Sequence, residues 1–139
     1  MAFIPLHEEE GKVHRLEVAA TTFTKGDACV FDGSGQMVKA TAGNGAPIWY
    51  VIADTVASKA TAGDLHSFWP AWGDTIFLAD TTTDPTQAQM GTYVDLVTNA
   101  ATLDTAASTD DLFMLMKIQG AAADRKVQGF FKQTTIEAE

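Results

Sequence analysis

The chain has 139 residues, 46% hydrophobic and 19% charged, a composition that builds one ordinary globular core and excludes a disordered chain. Its 18 Asp and Glu against 9 Lys and Arg leave a formal net charge of −9, which repels phosphate backbones and argues against direct nucleic-acid binding. The single cysteine, Cys29, excludes an internal disulfide, and no apolar run has the length that crosses a bilayer. With no basic-then-apolar leader at the start, the expectation is a soluble, unexported protein with no membrane partner.

Met1-Ala2-Phe3-Ile4-Pro5-Leu6 opens the chain as a short apolar run that Pro5 keeps extended. Two placements are open to it: back onto its own domain, or out as an arm onto a neighbouring subunit. The reading carried forward is an extended N-terminal arm over residues 1–12, with Phe3, Ile4 and Leu6 as its anchors, ahead of a β-domain over 13–139.

Residues 13–20 alternate, Leu16 and Val18 on one face and Arg15 and Glu17 on the other, the period of a half-buried strand. Thr24-Lys25-Gly26-Asp27 makes a turn. Residues 28–31 and 36–41 form a hairpin around Asp32-Gly33-Ser34-Gly35. Ile48-Trp49-Tyr50-Val51-Ile52-Ala53 is almost wholly apolar and too short for a typical helix, which predicts a central strand buried on both faces. Residues 56–64 are open to a loop or one helical turn.

Residues 65–74 alternate in part, and Pro70 places an edge or a bulge there. Strands follow at 75–79, 93–97, 101–104, 113–118 and 127–132, with a short helical turn at 87–90. Turn signals every 8–12 residues or so indicate an all-β, single-domain sandwich or barrel. No internal repeat is evident, and no linker splits the chain in two.

Candidate chemistry is thin. His7, His14 and His66 have no metal-ligand spacing, and no second cysteine completes a zinc set. Asp80 and Asp84 flank three threonine hydroxyls, but the stretch lacks the dense carboxylates and distal glutamate of a calcium loop, so it reads as a turn. Gly33-Ser34-Gly35 is a hairpin tip and not a nucleophile elbow. Cys29 lies in Ala28-Cys29-Val30-Phe31, a setting for a buried thiol. Much of the acidity has a local explanation: Asp27, Asp32, Asp64, Asp74, Asp84, Asp110, Asp111 and Asp124 fall where turns are expected. Phe68, Trp69 and Trp72 form the densest aromatic patch, open to three readings: core packing, a protein interface, or a sugar-stacking platform. No catalytic residue, cofactor or metal is expected.

With the strands placed, the chain resembles a known family. Thr24-Lys25-Gly26-Asp27-Ala28-Cys29-Val30, then Asp32-Gly33-Ser34-Gly35-Gln36-Met37-Val38-Lys39-Ala40, is similar to the strand, Gly-Asp, short strand and tight turn of tailed-bacteriophage capsid decoration (cement) proteins. Gln89-Met90-Gly91-Thr92-Tyr93-Val94-Asp95-Leu96, the Leu103-Asp104 step and the strands at 113–118 and 127–131 resemble the C-terminal half of such proteins. The resemblance implies a non-enzymatic virion protein, made in the host cytoplasm, that lies on the outer capsid surface. There it binds the major capsid protein, bridges its subunits and stabilises the shell as a homo-oligomer, a trimer ahead of a dimer. The rival expectations are another phage structural subunit of the tail or head completion, a carbohydrate-binding β-module stacking sugars on Trp69 and Trp72, and a small β-fold hydrolase.

Overall fold

The computed structural model describes residues 3–6, 13–41, 50–71, 75–97, 101–107 and 112–132. It is all-β, as the alternation and turn spacing predict. The strands are β1 (Ile4–Pro5), β2 (His14–Glu17), β3 (Ala28–Phe31), β4 (Met37–Lys39), β5 (Tyr50–Ile52), β6 (Leu65–Pro70), β7 (Phe77–Thr81), β8 (Tyr93–Leu96), β9 (Thr102–Asp104), β10 (Phe113–Ile118) and β11 (Lys126–Phe131). Single 3-10 turns lie at Gln87–Gln89 and Ala122–Asp124.

β2 to β6 form one sheet, and β1 joins β7 to β11 in the other. The first has the order β2-β6-β5-β3-β4 and curls until Val18, just past β2, meets Met37 of β4 in a parallel bridge. The second has the order β1-β7-β11-β10-β8-β9, and a parallel β7–β9 pairing closes its last five strands into a barrel. Closure leaves these five strands without an open edge, apart from the stretch of β7 that β1 covers.

The halves repeat one design in register. His14↔Phe68 corresponds to Phe77↔Gly129, and Ile52↔Phe68 to Leu115↔Gly129. Cys29↔Tyr50 corresponds to Val94↔Phe113, and Phe31↔Met37 to Leu96↔Leu103. The parallel closure Val18↔Met37 corresponds to Thr81↔Leu103. Hydrogen bonds outside the ladders repeat as well. The Gly26 N–H donates to the Ile52 carbonyl at 2.8 Å, and the Gly91 N–H to that of Leu115 at 2.7 Å. Ala19 donates to Met37 at 3.1 Å, and Thr82 to Leu103 at 3.0 Å. Gly26 and Gly91 hold left-handed φ values of 94° and 86° in matching turns, a conformation glycine adopts without steric cost. The expectation of no internal repeat is therefore corrected. The repetition lies in strand order, register and turn geometry; the side chains have diverged.

Pro70 is also corrected. β6 is an interior strand, paired with β2 on one side and β5 on the other. The Val18 N–H bond to Asp64 sets Asp64, His66 and Phe68 as the residues whose backbone faces β2. Pro70 continues that set beyond the last described partner, His14↔Phe68, so its missing donor removes no described ladder bond.

Each half has its own core. Val18, Phe23, Cys29, Met37, Tyr50, Ile52 and Phe68 fill the first sheet's concave side. The second core joins the barrel interior, including Phe77, Leu103, Phe113, Leu115, Val127 and Phe131, to the outer face of the first sheet. That face is a row across three strands: Ala28 beside Val51, and Val51 beside Trp69. β5 is thus buried on both sides, as its apolar run predicts; Ile48 and Trp49 of the same run lie outside the described residues.

Gly129 shows how tightly the barrel is filled. A Cβ built there would lie 2.0 Å from the Met114 carbonyl oxygen and 2.5 Å from Phe113 Cε1. The nearer obstacle is backbone, which cannot swing aside. Gly129→Ala should therefore lower stability by about 2 kcal/mol or more, at or above the middle of the overpacking range. Gly33→Ala, where nothing lies within 4 Å, should stay within about 0.5 kcal/mol. Chemical denaturation of the two variants against the parent measures both, and equal midpoints would contradict the packing described.

Candidate functional surface

The N-terminal segment packs on its own chain. Ile4 pairs with Leu78 and Pro5 with Phe77 along β7, and the Leu6 N–H donates to the Ile76 carbonyl at 2.7 Å. Phe3 is 0% exposed, its ring centroid 4.8 Å from that of Phe131 and 5.5 Å from that of Phe113. Its N–H reaches across to the Gly26 carbonyl of the first half at 2.9 Å. Phe3 is therefore corrected from an outward anchor to part of the core, while Ile4 is half-buried at its margin. A ring this apolar gains more from the adjoining aromatic barrel end than from water. Leu6 is the exposed member of the segment, and Ile4–Leu6 lies along the second sheet. Residues 7–12 lie outside the described residues.

The aromatic patch is split by strand alternation. Phe68 points into the first core and Trp69, its neighbour, into the second, where it is 3% exposed. The Lys25 ammonium lies 5.6 Å from the Trp69 ring centroid, a cation–π contact at the margin of that site. Both residues take the core reading, which removes them from a sugar-stacking or interface surface. Trp72 lies outside the described residues.

Other candidate groups are engaged internally. The Cys29 thiol is fully buried, donates to the Asp27 carbonyl at 3.4 Å, and has its pKa pushed well up by burial and then by the Asp27 charge. That is the reverse of a reactive thiolate. His14 Nδ1 lies 2.9 Å from the Tyr50 hydroxyl, and burial raises the Tyr50 pKa. Asp80 accepts from Lys126 at 2.6 Å, while Asp84 accepts from Arg125 at 2.9 Å. The carboxylates around the threonine loop are thus matched to the chain's own cations. Among the described residues no group of three or more His, Cys, Asp or Glu is arranged to hold a metal.

The turn role of the aspartates is visible in detail. Asp27 accepts the Thr24 N–H at 2.9 Å, Asp32 those of Ser34 and Gln36 at 2.8 and 2.9 Å, Asp64 that of Thr61 at 3.3 Å and Asp124 that of Ala121 at 3.1 Å. Asp84 differs, being held by Arg125. Asp74, Asp110 and Asp111 lie outside the described residues.

The apolar side chains that remain exposed are dispersed over the surface, four of them at or beside strand ends and Met116 inside β10. Among the described residues, Leu6, Val13, Phe31, Leu65 and Met116 are the large exposed hydrophobic side chains. Phe31 is 42% exposed although its counterpart in the second half, Leu96, is buried. It meets Tyr50 edge-on at 6.0 Å and so continues a chain of rings through Tyr50 to Phe68 and Phe23. Sequence reasoning treated Phe31 only as a strand residue. The available signal was its place immediately before the Asp32-Gly33 turn, where a strand leaves its sheet. Comparisons with protein families, curated proteins and solved structures returned no match.

Two predictions follow from these placements. Phe3→Ala and Trp69→Ala should each cost about 3–5 kcal/mol of unfolding free energy, the usual loss for a buried aromatic. An unchanged denaturation midpoint in either would mean that its ring is not in the core. Burial raises the Asp27 carboxyl above its ordinary 3.8, with the Thr24 N–H and Lys39 charge opposing. The ionised form is therefore penalised on folding at neutral pH, and the penalty disappears once the pH falls below 3.8. Thermal melts of Asp27→Asn and the parent should show the variant's relative stability highest near pH 7 and declining toward about pH 4; a flat difference would refute the sign.

Proposed function

We propose that this chain is a structural virion protein that binds the outer surface of a tailed-phage capsid and stabilises the shell by bridging major capsid subunits as a homo-oligomer. The observation that carries this reading is where the side chains go. Cys29, Asp27 and Tyr50 are buried in the frame, and the Asp80 and Asp84 carboxylates are bound by the chain's own cations. Exposed apolar side chains, by contrast, stand at or beside the ends of β1, β2, β3 and β6 (Leu6, Val13, Phe31 and Leu65) and at the bulge of β10 (Met116). A molecule so arranged stabilises others by burial: each copy laid across a junction removes apolar area from water at ~25 cal/mol per Å². Association costs reduce that gain, and a repeating lattice multiplies it through avidity. The resemblance in the Thr24–Asp27 and Asp32–Gly35 turns and the strands after them supports the same reading.

Capsid shells lacking the protein, mixed with purified chain and sedimented, should carry it into the pellet and release their DNA at a higher temperature. Phe31→Ala and Leu65→Ser, at exposed positions, should reduce the bound fraction severalfold with little change in the melting temperature of the free chain. Protein left wholly in the supernatant would overturn the reading.

A further inference from the structure

The two halves differ in what covers one outward row of side chains. In the first half Ala28 lies beside Val51 and Val51 beside Trp69, and all three are buried in one core with the barrel of the second half. Their counterparts in the shared register are Tyr93, Met114 and Phe130, again side by side. Strand alternation turns these three away from the barrel interior, because their neighbours Val94, Phe113, Leu115 and Phe131 are buried inside it. The row continues past β11. Ile76 precedes Phe77, the partner of Gly129, and so stands beside Phe130; the Leu6 N–H in turn donates to the Ile76 carbonyl. Five strands thus carry Leu6, Ile76, Phe130, Met114 and Tyr93 across one face. Leu6 is exposed, the other four are half-buried, and none belongs to either core. An antiparallel face that meets only water is ordinarily polar, whereas this row is large and apolar across its whole width.

We infer that this row is the contact face for a second copy of the chain, packed row against row about a two-fold axis. Two observations name the occupant. The equivalent row of the first half is covered by a β-structure of this same chain, and that cover is already used within each copy. What a second copy has to offer is therefore its own uncovered row. Charge points the same way. The net charge of −9 opposes self-association over most of the surface, but the row holds no carboxylate to repel its copy. Its nearest cation, the Lys132 ammonium 5.3 Å from the Tyr93 ring centroid, stands at the rim. With Phe130 at the centre of the two-fold, each Phe130 ring meets its own copy, and Ile76 and Met114 on either side extend the contact as two sheet faces packed together.

Self-association through this row rests on the homo-oligomer part of the proposed function, but it is measured without a capsid. Light scattering on the full chain should give twice 14.8 kDa. Phe130→Glu and Phe130→Lys should each weaken dimerisation by about tenfold or more. Mixed in equal amounts the two should regain the dimer mass, because opposite charges then meet at the centre of the two-fold. Tyr93→Ser, at the end of the row, should weaken association less, and Leu65→Ser, on the first sheet, should leave it unchanged. Thermal melts at a dilution where the parent is also monomeric should show the Phe130 and Tyr93 variants folded. A monomeric parent would mean that a different partner takes the row, and it would overturn the contact. Phe130 and Tyr93 variants that keep the parent's mass, or a mixture that stays dissociated, would overturn it as well. Sedimentation with capsid shells reads the proposed function separately: a monomeric parent that pellets with shells fails the two-fold contact alone, and a dimer left in the supernatant fails the capsid reading alone.

Discussion

Two adjacent residues on β6 hold the molecule together. Alternation along a strand sends Phe68 to one face and Trp69 to the other, and each face belongs to a different core. β6 is consequently a wall shared by both halves, with β2 and β5 on its flanks and the barrel against its outer surface. The burial of Val51 and Ala28 follows from the same wall, because they continue the row that Trp69 begins. A one-residue slip of β6 would exchange the two rings and spoil both cores at once.

The N-terminal segment completes that arrangement. Phe3 closes the aromatic end of the barrel formed by Phe113, Phe131 and Phe77, while its backbone bonds to Gly26 in the other half. A run of four described residues thereby contacts both halves of the chain. Its proline is compatible with this role, since β1 is an edge strand that needs few donors.

Divergence between the halves is explained by volume. Phe68 and Gly129 occupy corresponding positions, one a large ring and the other no side chain at all. Phe113 lies over Gly129, so the space is filled from a neighbouring strand instead of from the same one. Cores require total volume and inward apolar character, and they tolerate redistribution among neighbours. A sheet and a barrel can therefore share register and turn bonds while their residues show no recurrent pattern. The turn glycines Gly26 and Gly91 persist because backbone conformation, unlike volume, cannot be supplied by a neighbour.

Much of the frame was legible along the chain. Alternation at Arg15–Glu17, the Gly26 and Gly33–Gly35 turns, and the apolar run through Val51 reflect contacts made within a strand or a turn, so local order was enough to read strand class and turn positions. The candidate surface was not legible. Whether Phe3, Trp69 or Phe31 is covered depends on which strand lies opposite, and that is decided by pairing between residues far apart in the chain: Phe3 by β10 and β11, Trp69 by the barrel, Phe31 by the absence of described cover at its strand end. The amino-acid order by itself determined an all-β chain with its turns and its inward-facing residues. Only the tertiary structure decided that those strands form a sheet and a closed barrel in one shared register, because such pairing is long-range and leaves no local mark.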